Sequence, residues 1–190
     1  VSYAMMNPGG DRNLTVAVRD ALNDLVAELC RDAVAETPVT ADDVLEIVLV
    51  GNPIMHHLFL AFGGPGRLAI TFDPTYSMYP EYARDTFTGY EAFPRLPDHG
   101  IDVARAIEVI RSRRPSIVVL TSPNNPTGTA LPAPDLRAIA SAALAVGAMV
   151  IVDEAYAEFR HDGVPSACEL LDEYPNLVVT RTMSKAFSLA

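Results

Sequence analysis

Ser116-Ile117-Val118-Val119-Leu120-Thr121 and Met149-Val150-Ile151-Val152-Asp153 are two short apolar runs, rich in β-branched residues, each closed by a polar residue. Runs of this length and composition predict strands buried on both faces. Between them, residues 134–146 carry a helical pattern ended by Gly147, the residue that most easily adopts a left-handed cap. Strand, helix and strand in about 38 residues is one crossover unit, and it predicts a parallel pair.

The same rhythm extends both ways. Residues 68–72 and 177–180 read as strands, as does the apolar run 45–50. Residues 14–35 read as an amphipathic helix with Val18, Leu22, Leu25 and Leu29 on one face. Gly51-Asn52-Pro53 opens a short helix, Ile54–Phe62, with proline suited to its first turn. Helices are also expected at 77–85, at 102–114 with Pro115 as its stop, and at 167–173. Residues 63–66 form a turn, and the proline-rich stretch 93–98 a loop. Alternating helices and continuous apolar strands predict an α/β fold, a three-layer sandwich around a mostly parallel sheet.

Composition narrows the function. The 190 residues carry a formal charge of −10, with an isoelectric point near 4.7. Nucleic acid and anionic membrane surfaces need a positive patch, so neither is expected as a partner. Cys30 and Cys168 have no metal-ligand or redox spacing, so no metal site is expected and the thiols read as those of a cytoplasmic protein. Residues 138–152 are apolar but short for a membrane span, and Gly147 interrupts them. The chain begins at Val1 and stops at Ala190 inside an expected helix, so it is expected to be a fragment.

Lys185 is the only lysine among fourteen lysines and arginines. Only a primary amine condenses with an aldehyde to an imine, which arginine cannot do. Count alone leaves open that an arginine-rich chain simply kept one lysine. In open parallel sheets, however, ligands sit beyond the carboxyl ends of the strands. There the sequence places Tyr76, Asn125, Asp153 with Tyr156, and Ser184 with Lys185. Asn125, Asp153 and Lys185 are 28 and 32 residues apart, about one strand–helix–strand unit each. An amide, a carboxylate, a phenol and an amine are thus expected on one rim, a set suited to pyridoxal phosphate. Each has a plainer reading: Asp153 as a helix N-cap, Asn125 as a turn residue, Tyr76 as packing. Adjacent His56 and His57 point apart on a helix and read as packing and surface.

Five ordered motifs carry a resemblance. They are residues 61–67, Pro74-Thr75-Tyr76-Ser77-Met78-Tyr79, residues 122–128, Asp153-Glu154-Ala155-Tyr156-Ala157-Glu158-Phe159 and Met183-Ser184-Lys185-Ala186-Phe187. Residues 61–190 resemble the large domain of class I/II, fold type I, aminotransferases, truncated at its carboxyl end, and are most similar to the histidinol-phosphate branch. The resemblance implies pyridoxal 5'-phosphate as cofactor and Lys185 as the catalytic, imine-forming lysine. It implies Asp153 at the ring nitrogen, Asn125 and Tyr156 at the ring hydroxyl, Tyr76 stacked on the ring and Ser184 at the phosphate. It further implies a small-molecule amino donor, a 2-oxo acid and a homodimeric full-length protein. The implied reaction is amino transfer between histidinol phosphate and 2-oxoglutarate in histidine biosynthesis. A related activity, decarboxylation of threonine phosphate, fits the same motifs.

Residues 1–60 resemble instead the carboxy-terminal ATPase-like domain of ferredoxin-linked reductive activators of corrinoid proteins, on Leu22-Asn23-Asp24-Leu25-Val26-Ala27-Glu28-Leu29-Cys30 and on 50–58. A domain boundary is therefore expected near residue 60, and a piece of such an activator or a non-functional fusion product are the competing readings. Gly51 and Asn52 occupy the slot before a helix where the aminotransferase family binds the cofactor phosphate, and are expected to bind it in part. The substrate-carboxylate arginine and small domain of the family have no counterpart here, so the isolated chain is not expected to turn over.

Overall fold

The structure is a computed structural model and describes residues 49–50, 54–161 and 163–186, with scattered positions between 16 and 40. Six strands form one sheet: β1 (Leu49–Val50), β2 (Leu68–Asp73), β3 (Gly89–Pro94), β4 (Ile117–Thr121), β5 (Met149–Asp153) and β6 (Leu177–Arg181). Their order is β1-β6-β5-β4-β2-β3, and every pair is parallel. The helices are α1 (Ile54–Phe62), α2 (Tyr79–Asp85), α3 (Val103–Arg113) and α4 (Ala133–Val146), with two short 3-10 turns at Ala157–Phe159 and Ala167–Leu170.

Successive strand residues point to opposite faces, and the core divides accordingly. Ile70, Phe72, Val118, Leu120, Val150, Val152 and Val179 pack under α3 and α4. Ala69, Ile117, Val119 and Ile151 pack under α1 and α2, against Met55, Leu58, Phe59, Tyr79 and Ala83. Covering both faces explains why the central strands are apolar without alternation. The three-layer α/β expectation holds.

Helix ends follow local chemistry. Asp102 caps α3 by accepting from Arg105 N at 3.0 Å, and Gly147 ends α4 in the left-handed region at φ 76°. Three expectations change. The loop expected at 93–98 starts two residues late, because residues 93 and 94 close β3, an edge strand paired only with β2, half-exposed and bounded by Gly89 and Pro94. The helix at 77–85 begins at Tyr79, with Pro80 in its first turn. The segment 167–173 makes only a 3-10 turn, with Ser166 accepting from Cys168 N.

The expected helix 14–35 is described only at scattered positions, which are helical, and most of the 45–50 run lies outside the described residues. The expected boundary near residue 60 falls within α1, where Phe59, Leu60 and Ala61 are all buried. Among the described residues no helix is long and apolar enough to cross a membrane.

Candidate active site

Leaving β2, the chain steps outward to β3 and then returns past β2 to β4, so the direction of winding reverses between β2 and β4. At such a point the loops beyond the strand ends diverge and leave a crevice. The two loops are stitched together by Asn124. Its Nδ2 donates to the Pro74 carbonyl (3.0 Å) and to Thr127 Oγ1 (2.8 Å), and its Oδ1 accepts from Thr75 Oγ1 (3.0 Å).

The crevice opens into a cleft of about 670 Å³, its mouth included. Tyr76 from the loop after β2, Asn125 after β4, Asp153 and Tyr156 at the end of β5, and Ser184 and Lys185 after β6 all line it. Six of the eight expected site residues are therefore brought together. Gly51 and Asn52 lie outside the described residues, although Ile54 and Met55, at the start of α1, line the same cleft.

Asp153 is 8% exposed. Its Oδ1 accepts from Ala155 N (3.0 Å) and its Oδ2 from Tyr79 Oη (2.7 Å). Burial raises its pKa above the ordinary carboxylate value and the Glu154 charge adds to this, while the hydrogen bonds from Tyr79, Ala155 and Thr180 oppose it. Tyr79 is fully buried, and burial together with Asp153 pushes its phenol up, so it stays a donor. Its ring meets that of Tyr76 edge-on at 5.5 Å. Tyr82, beside Tyr76 on the cleft wall, is pushed up to about 12 by burial.

Glu154 faces away from the cleft and is 2% exposed. Its carboxylate accepts from Ser166 Oγ and Ala167 N, both at 2.7 Å. Arg160 Nη1 lies 3.3 Å away, in charge contact without an aligned hydrogen bond. Glu154 thus ties the end of β5 to the 3-10 turn at Ala167–Leu170. Lys185 is exposed, with Nζ 5.9 Å from the centre of the Tyr156 ring. Ser184 Oγ and Thr182 Oγ1 are 2.8 Å apart, which fixes the turn that leads to the lysine. Arg181 lines the cleft and pairs with Glu158.

Sequence reasoning missed Tyr79, Thr121 and Thr180. A signal for two of them exists. Thr121, Asp153 and Thr180 are register partners at the ends of β4, β5 and β6, so they form a polar row on one face. Each apolar run ends on a polar residue, and the row is legible once the strands are aligned. Tyr79 carries no such mark, since a tyrosine opening a helix is ordinary packing material.

The model of the family described as aminotransferase class I and II matches residues 6–190. The chain belongs to the class I and II aminotransferases. It is 56% identical over 139 residues to histidinol-phosphate aminotransferase 3 of Burkholderia lata, across 73% of this chain and 37% of that one. It is 48% identical over 176 residues to the histidinol-phosphate aminotransferase of Rhodococcus jostii, across 90% and 44%. This aminotransferase chain therefore spans well under half the length of the curated relatives it matches. Among solved structures it is similar to a tetra mutant of Thermus thermophilus aspartate aminotransferase, at 28% identity and TM-score 0.65, over 72% of this chain and 38% of that one. The histidinol-phosphate aminotransferase of Sinorhizobium meliloti, solved in complex with pyridoxal-5'-phosphate, shares the fold at TM-score 0.65 and 24% identity, over 72% and 36%.

Proposed function

We propose that this chain is the cofactor-holding part of a pyridoxal-phosphate-dependent aminotransferase that moves an amino group from histidinol phosphate to 2-oxoglutarate, in the cytoplasm and within a homodimer. The observation that carries the reading is one cleft lined by Asp153, Asn125, Tyr156, Tyr76 and Lys185. The residues fit the cofactor. A buried carboxylate at an open cleft is matched by a ring nitrogen that bears a proton. The side-chain amide of Asn125 makes no hydrogen bond within the described residues and is available to a ring hydroxyl.

When bound, pyridoxal phosphate supplies an aldehyde for the amine and a ring that accepts the electron pair left by a departing proton. Asp153 keeps the ring nitrogen charged. Asn125 and Tyr156 would hold the ring through its hydroxyl, and Tyr76 would pack against it. Ser184, with Gly51 and Asn52 before α1, holds the phosphate. Lys185 would hold the aldehyde carbon, and its amine is the base that would take and return the substrate α-proton.

Relatives named histidinol-phosphate aminotransferase reach 56% identity over 139 residues. That favours histidinol phosphate as the amino donor over threonine phosphate as the substrate of a decarboxylation. The test is spectroscopic and needs no turnover. Histidinol phosphate should perturb the visible spectrum of the pyridoxal-phosphate-loaded chain at lower concentration than threonine phosphate. The reverse order, or no response to either, contradicts the assignment.

A further inference from the structure

Asp153 stands at the end of a row of oxygens. Its Oδ2 lies 2.7 Å from Tyr79 Oη, which lies 2.9 Å from Thr121 Oγ1. Thr121 Oγ1 is 3.0 Å from Thr75 Oγ1, and that hydroxyl is 3.0 Å from Asn124 Oδ1. Tyr79, Thr121, Asn124 and Asp153 are buried and Thr75 is half-buried, and Thr121 and Asp153 meet water only where they line the cleft. The far end has a fixed polarity. Asn124 Nδ2 faces the Pro74 carbonyl, which only accepts, so Asn124 Oδ1 must accept from Thr75.

The hydrogens can then be counted. Thr75 directs its only hydrogen at Asn124. Thr121 has one hydrogen for two contacts, and Tyr79 has one. Three hydroxyls supply three hydrogens to four contacts. With Asp153 ionised, one contact brings two lone pairs face to face in a site of low dielectric, which is unfavourable. With Asp153 protonated the count closes: the Asp153–Tyr79 contact, in which the ionised carboxylate accepts, reverses, and each group donates once to the next from Asp153 through Tyr79, Thr121 and Thr75 to Asn124.

We propose that this row is a proton store: the cofactor-free protein keeps Asp153 as a neutral carboxylic acid, and Tyr79, Thr121 and Thr75 are the positioning residues that require its proton. Burial of the carboxyl and the Glu154 charge push the same way. The Thr180 hydroxyl, also bonded to Asp153, adds one hydrogen and one contact and leaves the count one short, and the other groups facing Asp153 do not reverse this. Tyr79 and Tyr82 of α2 have phenols pushed up by burial and bring no charge, and Tyr76 and Tyr156 are further phenols on the cleft wall. Glu154 is held by Arg160, and Arg181 is paired with Glu158. Lys185, over the Tyr156 ring, is the cleft cation with no ion-pair partner among the described residues.

One use of the store rests on the pyridoxal-phosphate reading; the row itself does not. Asp153 would pass its proton directly to the basic nitrogen of a ring bound in the cleft. The Asp153 O–H bond breaks, an N–H bond forms, and the resulting ion pair offsets the contact left without a hydrogen. The ring is then charged at no cost to the proton supply in solvent.

Infrared titration of the cofactor-free chain tests the store. The carbonyl stretch of a protonated acid, assigned by its loss in Asp153→Asn, should persist above the ordinary carboxylate range. Thr75→Val leaves two contacts and two hydroxyl hydrogens beside Asp153, which closes the count with the carboxylate ionised. Its proton affinity should therefore fall about tenfold, the worth of one net hydrogen bond. Thr121→Val leaves one contact and one hydrogen there and predicts a fall of the same sign. Thr75→Ser should titrate as the parent. Burial alone predicts no fall in either valine variant, so parent-like titration of both, or no Asp153 band above the ordinary range, overturns the proposal. An acid band that responds as stated, in a chain that forms no pyridoxyl adduct on Lys185, would leave the store standing and remove the cofactor reading.

Discussion

The charge on Asp153 makes stability depend on pH. Burial raises its folded-state pKa above the unfolded value. Such a group supports the fold fully below the unfolded pKa, and that support is lost as pH rises through the folded pKa. In cofactor-free protein, the stability of Asp153→Asn relative to the parent should therefore climb with pH across that window, as read from urea midpoints. A difference flat in pH would contradict the burial argument. With pyridoxal phosphate present, the same substitution should weaken retention by roughly ten- to a hundredfold, the worth of a charged hydrogen bond, measured by dialysis. Asp153, Asn125 and Lys185 were legible because each follows an apolar run. Tyr79 was not, because its value comes from full burial against Asp153 and no local pattern encodes that contact.

Elements are held by particular backbone constraints. A Cβ on Gly63 would overlap Thr88 Oγ1 and lie 2.6 Å from the Phe59 carbonyl oxygen. Thr88 Oγ1 also accepts from Gly64 N at 2.8 Å, so it is not free to withdraw. Gly63→Ala should cost about 1–3 kcal/mol by overpacking the junction of α1, the turn and β3. Gly147→Ala meets open space and should cost only about 1 kcal/mol, through the left-handed φ. Denaturant unfolding of the two variants orders them, and equal costs would contradict the steric account. Gly147 was legible as a cap because it follows a helical pattern. The close approach at Gly63 was legible only as a turn, since the atom it avoids is 25 residues away. β3 escaped notice for a related reason: an edge strand that is half-exposed does not need the apolar residues by which buried strands are recognised.

Across the whole molecule, the sheet is covered on both faces. Ile70 is fully buried on the α3–α4 face and Ile151 on the α1–α2 face. Replacing either by alanine should cost about 2–5 kcal/mol. A near-zero cost at one of them, in chemical denaturation, would mean that its face is open. The parallel α/β character was legible because two-sided burial writes continuous apolar strands. The strand order was not, since periodicity records which faces are buried and not which strands are neighbours. That order nonetheless makes the site, by putting the winding reversal between β2 and β4 and bringing Asp153 and Lys185 to one cleft. Borohydride reduction of the chain with pyridoxal phosphate, followed by peptide mass analysis, tests this most directly. The account predicts a pyridoxyl adduct on Lys185 whose yield at limiting cofactor falls in Asp153→Ala. No adduct at Lys185, or a yield indifferent to Asp153, would contradict it.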